Sequence, residues 1–316
     1  RSGHMMRWIR LCMGLSAVTS IALVWSDDFL SVITVVAIFS FFWHGGLPLF
    51  EAYTFSQLAD KKARYGKVRL WGSIGFISAV LLLGEWFTRY ELSGFPWVVF
   101  GLFVLLWLTT WTLTDGVARP GDQVSQTFSQ ILRNPVTLSL LLASFLIQFS
   151  HGTYYNFFSI DLESHGYAKN TIAWLWALGV TAEIFVFFAM VRLFQSFSVR
   201  SLILLSLVLT LLRWQLNIWG VESLAVMMVA QILHAASFGL YHAAALHLID
   251  GLFNGPNRGR GQAVYAATSQ GLGGSLGALG AGLTWTLGGA MLSYMASSLA
   301  VVLGLIIAWI WLRPES

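Results

Sequence analysis

Ten long apolar segments occupy most of this 316-residue chain. The hydrocarbon core of a bilayer is about 30 Å thick, and about 20 residues of α-helix cross it. Each segment is long enough to do so, and we therefore predict an all-α membrane protein. The predicted spans are residues 6–25, 29–56, 68–88, 95–114, 135–160, 170–191, 201–219, 223–249, 262–286 and 289–312.

The basic residues collect in every second gap between these segments. When the gaps are assigned to alternating sides, fifteen of the 18 Lys and Arg residues fall on one side. The other side receives only Arg89, Lys169 and Arg213. Because cytoplasmic loops carry the excess of Lys and Arg, the fifteen define the cytoplasmic side. Both ends of the chain are then expected in the cytoplasm.

Composition excludes several classes of function. Only 10% of the residues are charged, and the net charge of +4 reflects the cytoplasmic loops rather than a dense basic block. We therefore expect no binding to nucleic acid. Cys12 is the sole cysteine, which excludes a disulfide framework and a cysteine metal site. No catalytic motif is present, so we expect neither an enzyme nor a cofactor.

The longest gap, residues 115–134, separates four spans from six. We expect a first half bundle over residues 1–114, a central cytoplasmic loop over 115–134 and a second half bundle over 135–316. Apolar residues within the loop leave two alternatives open, a short interfacial helix or an unstructured linker. These residues are Val124, Phe128, Ile131 and Leu132.

Ionisable side chains inside the spans are the candidates for functional residues, because charge at membrane depth costs roughly 2.5–3.5 kcal/mol on insertion scales. Glu183 lies in the middle of a span and must face a partner or a wet cavity. The other ionisable residues within the spans also have explanations without a functional role. A carboxylate can lie at the lipid headgroups, an arginine can extend to the interface, and a histidine can serve only the structure. These other residues are Glu51, Arg69, Arg213, His234 and His242.

A glycine-rich run follows residue 270. Gly273 and Gly277 form a G-x-x-x-G pair, which favours the close approach of two helices in a membrane. A phosphate-binding loop would need a preceding strand and a Gly-Lys-Ser/Thr sequence, and both are missing from this sequence. We predict that the run is a packing surface.

Several sequences resemble those of the phenylpropionate permease family within the major facilitator superfamily, which is related to lactose permease and to nucleoside–proton symporters. They are Tyr65-Gly-Lys-Val-Arg69-Leu-Trp-Gly-Ser-Ile-Gly75, Gly152-Thr-Tyr154-Tyr155-Asn-Phe-Phe-Ser, Trp174-Leu-Trp-Ala-Leu-Gly-Val-Thr-Ala-Glu183, Leu233-His234-Ala-Ala-Ser-Phe-Gly239-x-x-His242-Ala-Ala and Ser269-Gln-Gly-Leu-Gly-Gly-Ser. The resemblance implies a bundle of twelve transmembrane helices in a bacterial inner membrane.

The start of the chain fits this resemblance. Arg1-x-Gly3 is similar to the end of the motif that the superfamily carries between its second and third helices, although an expression scar is an alternative. The ten spans would then be helices three to twelve, without the first two. We expect that this 316-residue form neither transports nor folds as stably as a twelve-span parent.

The resemblance to lactose permease also implies roles for individual residues. Glu51 and Arg69 match a charge pair that binds substrate, while Glu183, Arg213 and His234 match charged positions of the second half. Lactose permease has a proton-carrying glutamate three residues after the matched histidine, where this chain has Ser237. Glu183 therefore becomes the leading proton carrier, with His234 and His242 as further proton-coupling residues.

Together these features imply a monomeric symporter that carries a proton and a small aromatic acid, such as 3-phenylpropionate, by alternating access. The substrate cavity is expected at the midplane between the halves. Arg69 or Arg213 would bind the carboxylate, because a guanidinium stays charged and binds carboxylates bidentately. Trp71, Tyr154 and Tyr155 would stack on the ring or serve only packing. The alternatives are a sugar or nucleoside symporter, and an inactive, structural or sensory membrane fragment.

Overall fold

The structure is a computed structural model that describes residues 5–58, 65–89, 92–114, 127–253 and 257–312. The described residues are almost entirely helical, as predicted. The α-helices, in chain order, are α1 Met5–Ser20, α2 Phe29–Leu58, α3 Tyr65–Arg89, α4 Phe95–Thr110, α5 Phe128–Arg133, α6 Pro135–Ser164, α7 Lys169–Ser196, α8 Val199–Trp219, α9 Leu224–Ile232, α10 Tyr241–Leu252, α11 Arg258–Ala266 and α12 Gly274–Trp311.

All ten predicted spans correspond to helices. Within the described parts, seven helical segments are long and apolar enough to cross a membrane, and Leu70–Leu83 and Phe95–Thr110 are shorter apolar helices. The last of the seven, Arg258–Trp311, is 54 residues long and covers two of the predicted spans, 262–286 and 289–312. It bends at Gly288 and Gly289, and Gly289 has a φ of 63°, which glycine adopts without steric cost.

Contacts divide the chain into two compact units, the first comprising residues 1–65 and 82–121 and the second residues 66–81 and 122–316. In the first unit α1 packs against α2 and α4 around Met6, Ile9 and Met13. Arg10 donates from Nη2 to the Leu113 carbonyl at 2.8 Å. This bond ties α1 to the chain just after α4.

In the second unit α12 packs along α6 at the glycine run. A Cβ atom on Gly152 would collide with the Gly277 carbonyl, and one on Gly273 would lie 2.8 Å from the Phe145 carbonyl. Small residues at such contacts let two helix backbones approach closely in a membrane. The predicted packing role of Gly273 and Gly277 is therefore confirmed.

Helix starts in this unit follow local sequence signals. The Asn134 side chain accepts a bond from the Val136 amide at 2.8 Å, with Pro135 as the first residue of α6. Ser198 caps α8 in the same way through the Ser201 amide. The helix α5 lies within the predicted loop and corresponds to the interfacial-helix alternative, whereas residues 115–126 lie outside the described part.

Two segments of the second unit are π-helical. Ala235–Leu240 connects α9 to α10, and Ala267–Gly273 connects α11 to α12. A π-helical turn contains a wider hydrogen-bonded loop than an α-helix and is frequent at functional sites. The first segment begins directly after His234 and ends two residues before His242.

Candidate functional site

A group of buried polar side chains lies inside the second unit, where α6, α7, α8 and the first π-helical segment meet. We call it the buried polar cluster and define it as Tyr154, Glu183, Arg213, Gln231 and His234. All five are buried. Three of them carry or can carry charge, which is costly in an apolar interior unless the groups are paired.

Glu183 and His234 form the ion pair of this cluster. Glu183 Oε1 lies 2.8 Å from His234 Nε2, and the side chains are only 8% and 5% exposed. One proton lies between the two atoms, held either by the imidazole or by the carboxyl group. His234 Nδ1 is buried and has no partner among the described residues. The pair can therefore accept a second proton and release it again while the hydrogen bond between Nε2 and Oε1 is kept.

Arg213 is completely buried, so it does not reach the membrane interface. Its Nε donates to the Ala230 carbonyl at 2.9 Å, and its Nη1 donates to Ser237 Oγ at 3.1 Å. The guanidinium carbon lies 3.9 Å from the centre of the Tyr154 ring, which favours the cation. The second terminal nitrogen, Nη2, has no partner among the described residues.

Tyr154 and Tyr155 have different surroundings although they are neighbours in α6. The Tyr154 hydroxyl donates to Gln231 Oε1 at 2.9 Å inside the cluster. Tyr155 is 41% exposed and stacks on Trp176, with 15° between the ring planes and 6.4 Å between their centroids. This stacked pair presents an aromatic surface next to the cluster.

His242 belongs to a second pair rather than to the cluster. Its Nδ1 lies 3.1 Å from the Tyr265 hydroxyl, between α10 and α11. The rings of His234, Phe238 and His242 form a continuous stack, with centroids 5.6 Å and 6.0 Å apart and nearly parallel planes. The π-helical segment thus aligns side chains that are four residues apart.

The remaining predicted site residues lie elsewhere or outside the described part. Glu51 is half-buried near the end of α2, in the first unit. Trp71 is 72% exposed on α3. Arg69 lies in α3, but the structure describes only its backbone. The predicted Glu51–Arg69 charge pair therefore stays a prediction, as does the role of Trp71.

Sequence reasoning missed three residues that the structure brings to the site. His151 is buried in α6, and its ring lies 6.4 Å from the His234 ring between centroids. Gln231 accepts from Tyr154, and Trp176 supports Tyr155. An ionisable residue inside an apolar span is by itself a signal, so the rule that selected His234 also applies to His151.

Metal binding needs several ligands close together. Within the described residues, no group of three His, Cys, Asp or Glu side chains is placed to hold a metal ion. A carboxylate–imidazole pair can exchange a proton and a guanidinium can bind an anion, so Glu183–His234 and Arg213 are the candidate functional groups of this cluster.

Comparison with known proteins finds membrane transporters among the relatives of this chain. The sequence profile of the MFS_1 like family matches residues 1–296. A probable 3-phenylpropionic acid transporter of Escherichia coli K12 is 28% identical over 254 residues, which cover 78% of this chain and 66% of that protein. A putative nucleoside transporter of the same organism is 24% identical over 96% of this chain and 80% of its own length. This chain therefore spans slightly less than two thirds of the length of the probable 3-phenylpropionic acid transporter.

A solved structure shares the fold. A variant of the nucleoside transporter NupG superposes with a TM-score of 0.71 at 15% identity, covering 97% of this chain and 82% of that one. These matches agree with the expectation, drawn from the sequence, that the chain is not an enzyme. At 15% identity, the superposition shows the fold and leaves the substrate open.

Proposed function

The chain belongs to the MFS_1 like family, and we propose that it acts in secondary transport as a proton-coupled symporter of a small aromatic carboxylate. The observation that supports the proposal is the buried Glu183–His234 pair beside Arg213. The relative named as a probable 3-phenylpropionic acid transporter supports the same class of substrate.

Charge balance couples the proton to the anion. With Arg213 cationic, Glu183 ionised and His234 neutral, the three groups carry no net charge. A bound carboxylate brings one negative charge into this buried region, where an unbalanced charge is costly. A proton taken up by the Glu183–His234 pair restores neutrality. Each ligand thus raises the affinity for the other, and this coupling is reciprocal.

Binding of the substrate would use two neighbouring features. Arg213 Nη2 offers a charged donor to the carboxylate, and hydrogen bonds of this kind are stronger than neutral ones. The stacked rings of Tyr155 and Trp176 offer a surface for the aromatic ring of the substrate, since aromatic pairs favour offset stacking. A small arylalkanoate matches this combination of a cation and an aromatic surface.

The proposed stoichiometry determines the driving force. One proton carried with one monoanion moves no net charge, so the membrane potential contributes nothing. Accumulation is then limited to about tenfold per pH unit, or about 1.4 kcal/mol. A neutral substrate carried with a proton would gain an additional ~2.3 kcal/mol per 100 mV. Dependence on the membrane potential therefore separates the two classes of substrate.

A sugar or nucleoside symporter is the second candidate function. It is supported by the relative named as a putative nucleoside transporter and by another named as maltose permease. Uncharged polar donors and acceptors at Gln231 and Tyr154 would serve such a substrate. This candidate predicts uptake that responds to the membrane potential as well as to the pH gradient.

The test is the uptake of labelled 3-phenylpropionate by the reconstituted protein. An inward proton gradient is imposed with and without a membrane potential, and labelled nucleosides and sugars are measured in parallel. Uptake of the acid driven by pH alone supports the proposal. Uptake of only neutral substrates, or accumulation of the acid that does not depend on the proton gradient, contradicts it.

We also propose that the protein resides in the bacterial inner membrane as a monomer with a cytoplasmic C-terminus. The alternating distribution of Lys and Arg supports this orientation. A tag at the C-terminus should resist protease added outside intact spheroplasts and should be cleaved after lysis. Cleavage before lysis would reverse the assignment.

A further inference from the structure

A long apolar groove lies within the first unit, between α1 and α4, and its volume is about 1070 Å³. The two helices are antiparallel, because Arg10 donates to the Thr110 carbonyl whereas Gly14 packs against the Trp107 ring. Arg7 and Arg10 line one end of the groove, and the rest of its lining is aliphatic, aromatic or glycine. The groove thus combines a cationic end with an apolar body.

The depth of the groove is close to half the thickness of a bilayer. Its lining runs from Arg7 to Val18 on α1 and from Phe100 to Trp111 on α4. Each of these pairs is eleven residues apart, or about 16 Å along a helix. Half of the hydrocarbon core is about 15 Å. Beyond Val18, the 3₁₀ segment Ile21–Trp25 packs against α4 and is not part of the lining.

The arginine end of the groove has the composition of a membrane interface. Arg7, Trp8 and Trp111 are all exposed there. Tryptophan is enriched at the level of the headgroups, and the excess of Arg and Lys predicts that this face of the membrane is the cytoplasmic one. The groove therefore leads from the headgroups of one leaflet to the region of the bilayer midplane.

The positive charge at this end has no acidic partner in the described part of the chain. Arg10 is half-buried, its Nε donates to the Thr110 carbonyl at 3.3 Å, and its guanidinium carbon lies 4.7 Å from the centre of the Trp111 ring. Carbonyl groups and an aromatic ring fix the position of a guanidinium but do not neutralise it. Among the described residues, neither Arg7 nor Arg10 forms an ion pair. An anion is the complementary ligand for this pair of arginines.

We propose that the groove binds an anionic phospholipid, with the phosphate at Arg7 and Arg10 and an acyl chain along α1 and α4 as far as Val18. Arginine binds phosphate through charge-assisted hydrogen bonds. Basic pockets between transmembrane helices suit anionic headgroups, and the apolar body of the groove suits the chain. The site is separate from the buried polar cluster and does not depend on which substrate is transported.

The dimensions and the charge favour a lipid over a further helix. A helix that spans the membrane crosses about 30 Å of hydrocarbon, whereas this groove ends near the midplane. A helix would also cover Arg7 and Arg10 with side chains, which is costly unless the helix supplies acidic groups there. An anionic lipid brings the negative charge and an apolar chain of one-leaflet length in a single molecule.

Photolabelling locates the lipid. The 316-residue protein is reconstituted in phosphatidylcholine vesicles with a trace of phosphatidylglycerol that carries a diazirine at the end of one acyl chain. A parallel sample contains phosphatidylcholine with the same label, and adducts are mapped by mass spectrometry. Near Val18 and Phe100 we expect at least about fivefold more adducts from phosphatidylglycerol. Equal labelling by the two lipids at these residues would overturn the inference.

Arg7→Gln tests the headgroup contact. Arg7 is exposed, so the substitution should leave the packing of α1 intact. We expect about fivefold fewer phosphatidylglycerol adducts, the effect of one basic residue beside an anionic group, and unchanged phosphatidylcholine adducts. Arg133→Gln is the matched control, because Arg133 is also exposed and predicted cytoplasmic but lies in the second unit. Equal losses in both variants would show a general effect of surface charge and would overturn the site.

Val18→Trp tests the position of the acyl chain. Val18 is exposed, so a larger side chain fits there and occupies the deep end of the groove. Adducts near Phe100 should be lost for both labelled lipids. Leu102→Trp makes a similar change at an exposed residue of α4 outside the lining, and it should leave the adducts unchanged. Adducts that persist in Val18→Trp would overturn the position of the chain.

A photoreactive amino acid in place of Leu11 identifies any other occupant. Leu11 is exposed and lines the groove between the arginine end and the deep end. We expect its cross-links to form with phospholipid. Cross-links to a second copy of the chain, or to another helix, would show that protein fills the groove and would overturn the inference.

Discussion

Glu183 Oε1 and His234 Nε2 lie 2.8 Å apart, although the two residues belong to helical segments about fifty positions apart in the sequence. Both side chains are more than nine-tenths buried, so the contact between them is shielded from water. Removing one member of such a pair leaves a buried polar group with little compensation. The pair therefore links packing and protonation at one place.

Replacement of Glu183 tests the proton-carrying role. Glu183→Gln keeps a hydrogen-bonding side chain beside His234 but can neither ionise nor be protonated near neutral pH. We expect this variant to lose accumulation driven by a pH gradient while it retains exchange of labelled substrate. Glu163→Gln is the matched control, since Glu163 is an exposed carboxylate at the end of α6. Accumulation equal to that of native protein in Glu183→Gln would refute the role.

Replacement of Arg213 tests the carboxylate-binding role. Arg213→Lys keeps the positive charge. However, the single ammonium nitrogen of lysine cannot replace three guanidinium nitrogens, of which one donates to Ala230, one donates to Ser237 and the third is proposed to bind the substrate. We expect the KM for 3-phenylpropionate to rise at least tenfold, which corresponds to about 1.4 kcal/mol. The uncharged amide of the same acid, where transported, should be affected less.

Arg200→Lys provides the comparison for this substitution. Arg200 also donates to a backbone carbonyl, that of Trp309, and also lies over an aromatic ring. It is separate from the buried polar cluster, so its replacement should leave KM unchanged. Equal changes in KM for the two variants would show that loss of packing, rather than loss of a substrate contact, explains the effect at Arg213.

The sequence was sufficient to predict the spans because a membrane imposes one length and one composition on each helix. The same reasoning identified Glu183, since a carboxylate in the middle of a span has no route to water. Arg213 was harder, because its distance from the helix end also allowed the side chain to reach the interface. Only the structure shows that Arg213 is completely buried among Ala230, Ser237 and Tyr154.

Other parts of the site could not be read from the spacing of residues. An α-helix places His234 and His242 about 80° apart, but the π-helical segment between them changes the register and stacks both rings on Phe238. Gln231 was missed because a neutral amide carries no insertion cost comparable to that of a charge. Trp176 was missed because aromatic residues are common throughout the spans.

The contact between α6 and α12 predicts a difference between two glycines. A methyl group on Gly152 would collide with the Gly277 carbonyl, a backbone atom that cannot move without shifting a helix. We expect Gly152→Ala to lower the free energy of unfolding by about 1–3 kcal/mol, as for other overpacked cores. Gly282 in α12 has no atom within 4 Å of such a methyl group.

The control Gly282→Ala should therefore be neutral, or stabilising by up to about 1 kcal/mol from helix propensity. Unfolding in mixed micelles of increasing denaturing-detergent fraction, followed by circular dichroism, measures both variants. Coincident unfolding curves for the two variants would show that α6 and α12 do not approach each other as closely as described.

The start of α2 predicts a local dependence on pH. Asp28 Oδ1 accepts hydrogen bonds from the Leu30 amide at 2.9 Å and the Ser31 amide at 3.0 Å. These bonds, together with those of the Ser31 side chain, hold the pKa of Asp28 below its ordinary value. Because the folded-state pKa is the lower one, the cap stabilises the helix fully above the unfolded pKa of about 3.9. Its contribution is lost as the pH falls through the folded-state pKa.

Hydrogen exchange at the amides of Leu30 and Ser31 measures this cap. After correction for intrinsic rates, protection should fall between about pH 5 and about pH 2 in native protein. In Asp28→Asn it should stay constant across this range, because an asparagine cap does not titrate and still accepts from the helix amides. The neighbouring Asp27→Asn should behave like native protein. A pH dependence that survives in Asp28→Asn but disappears in Asp27→Asn would assign the cap to the other carboxylate.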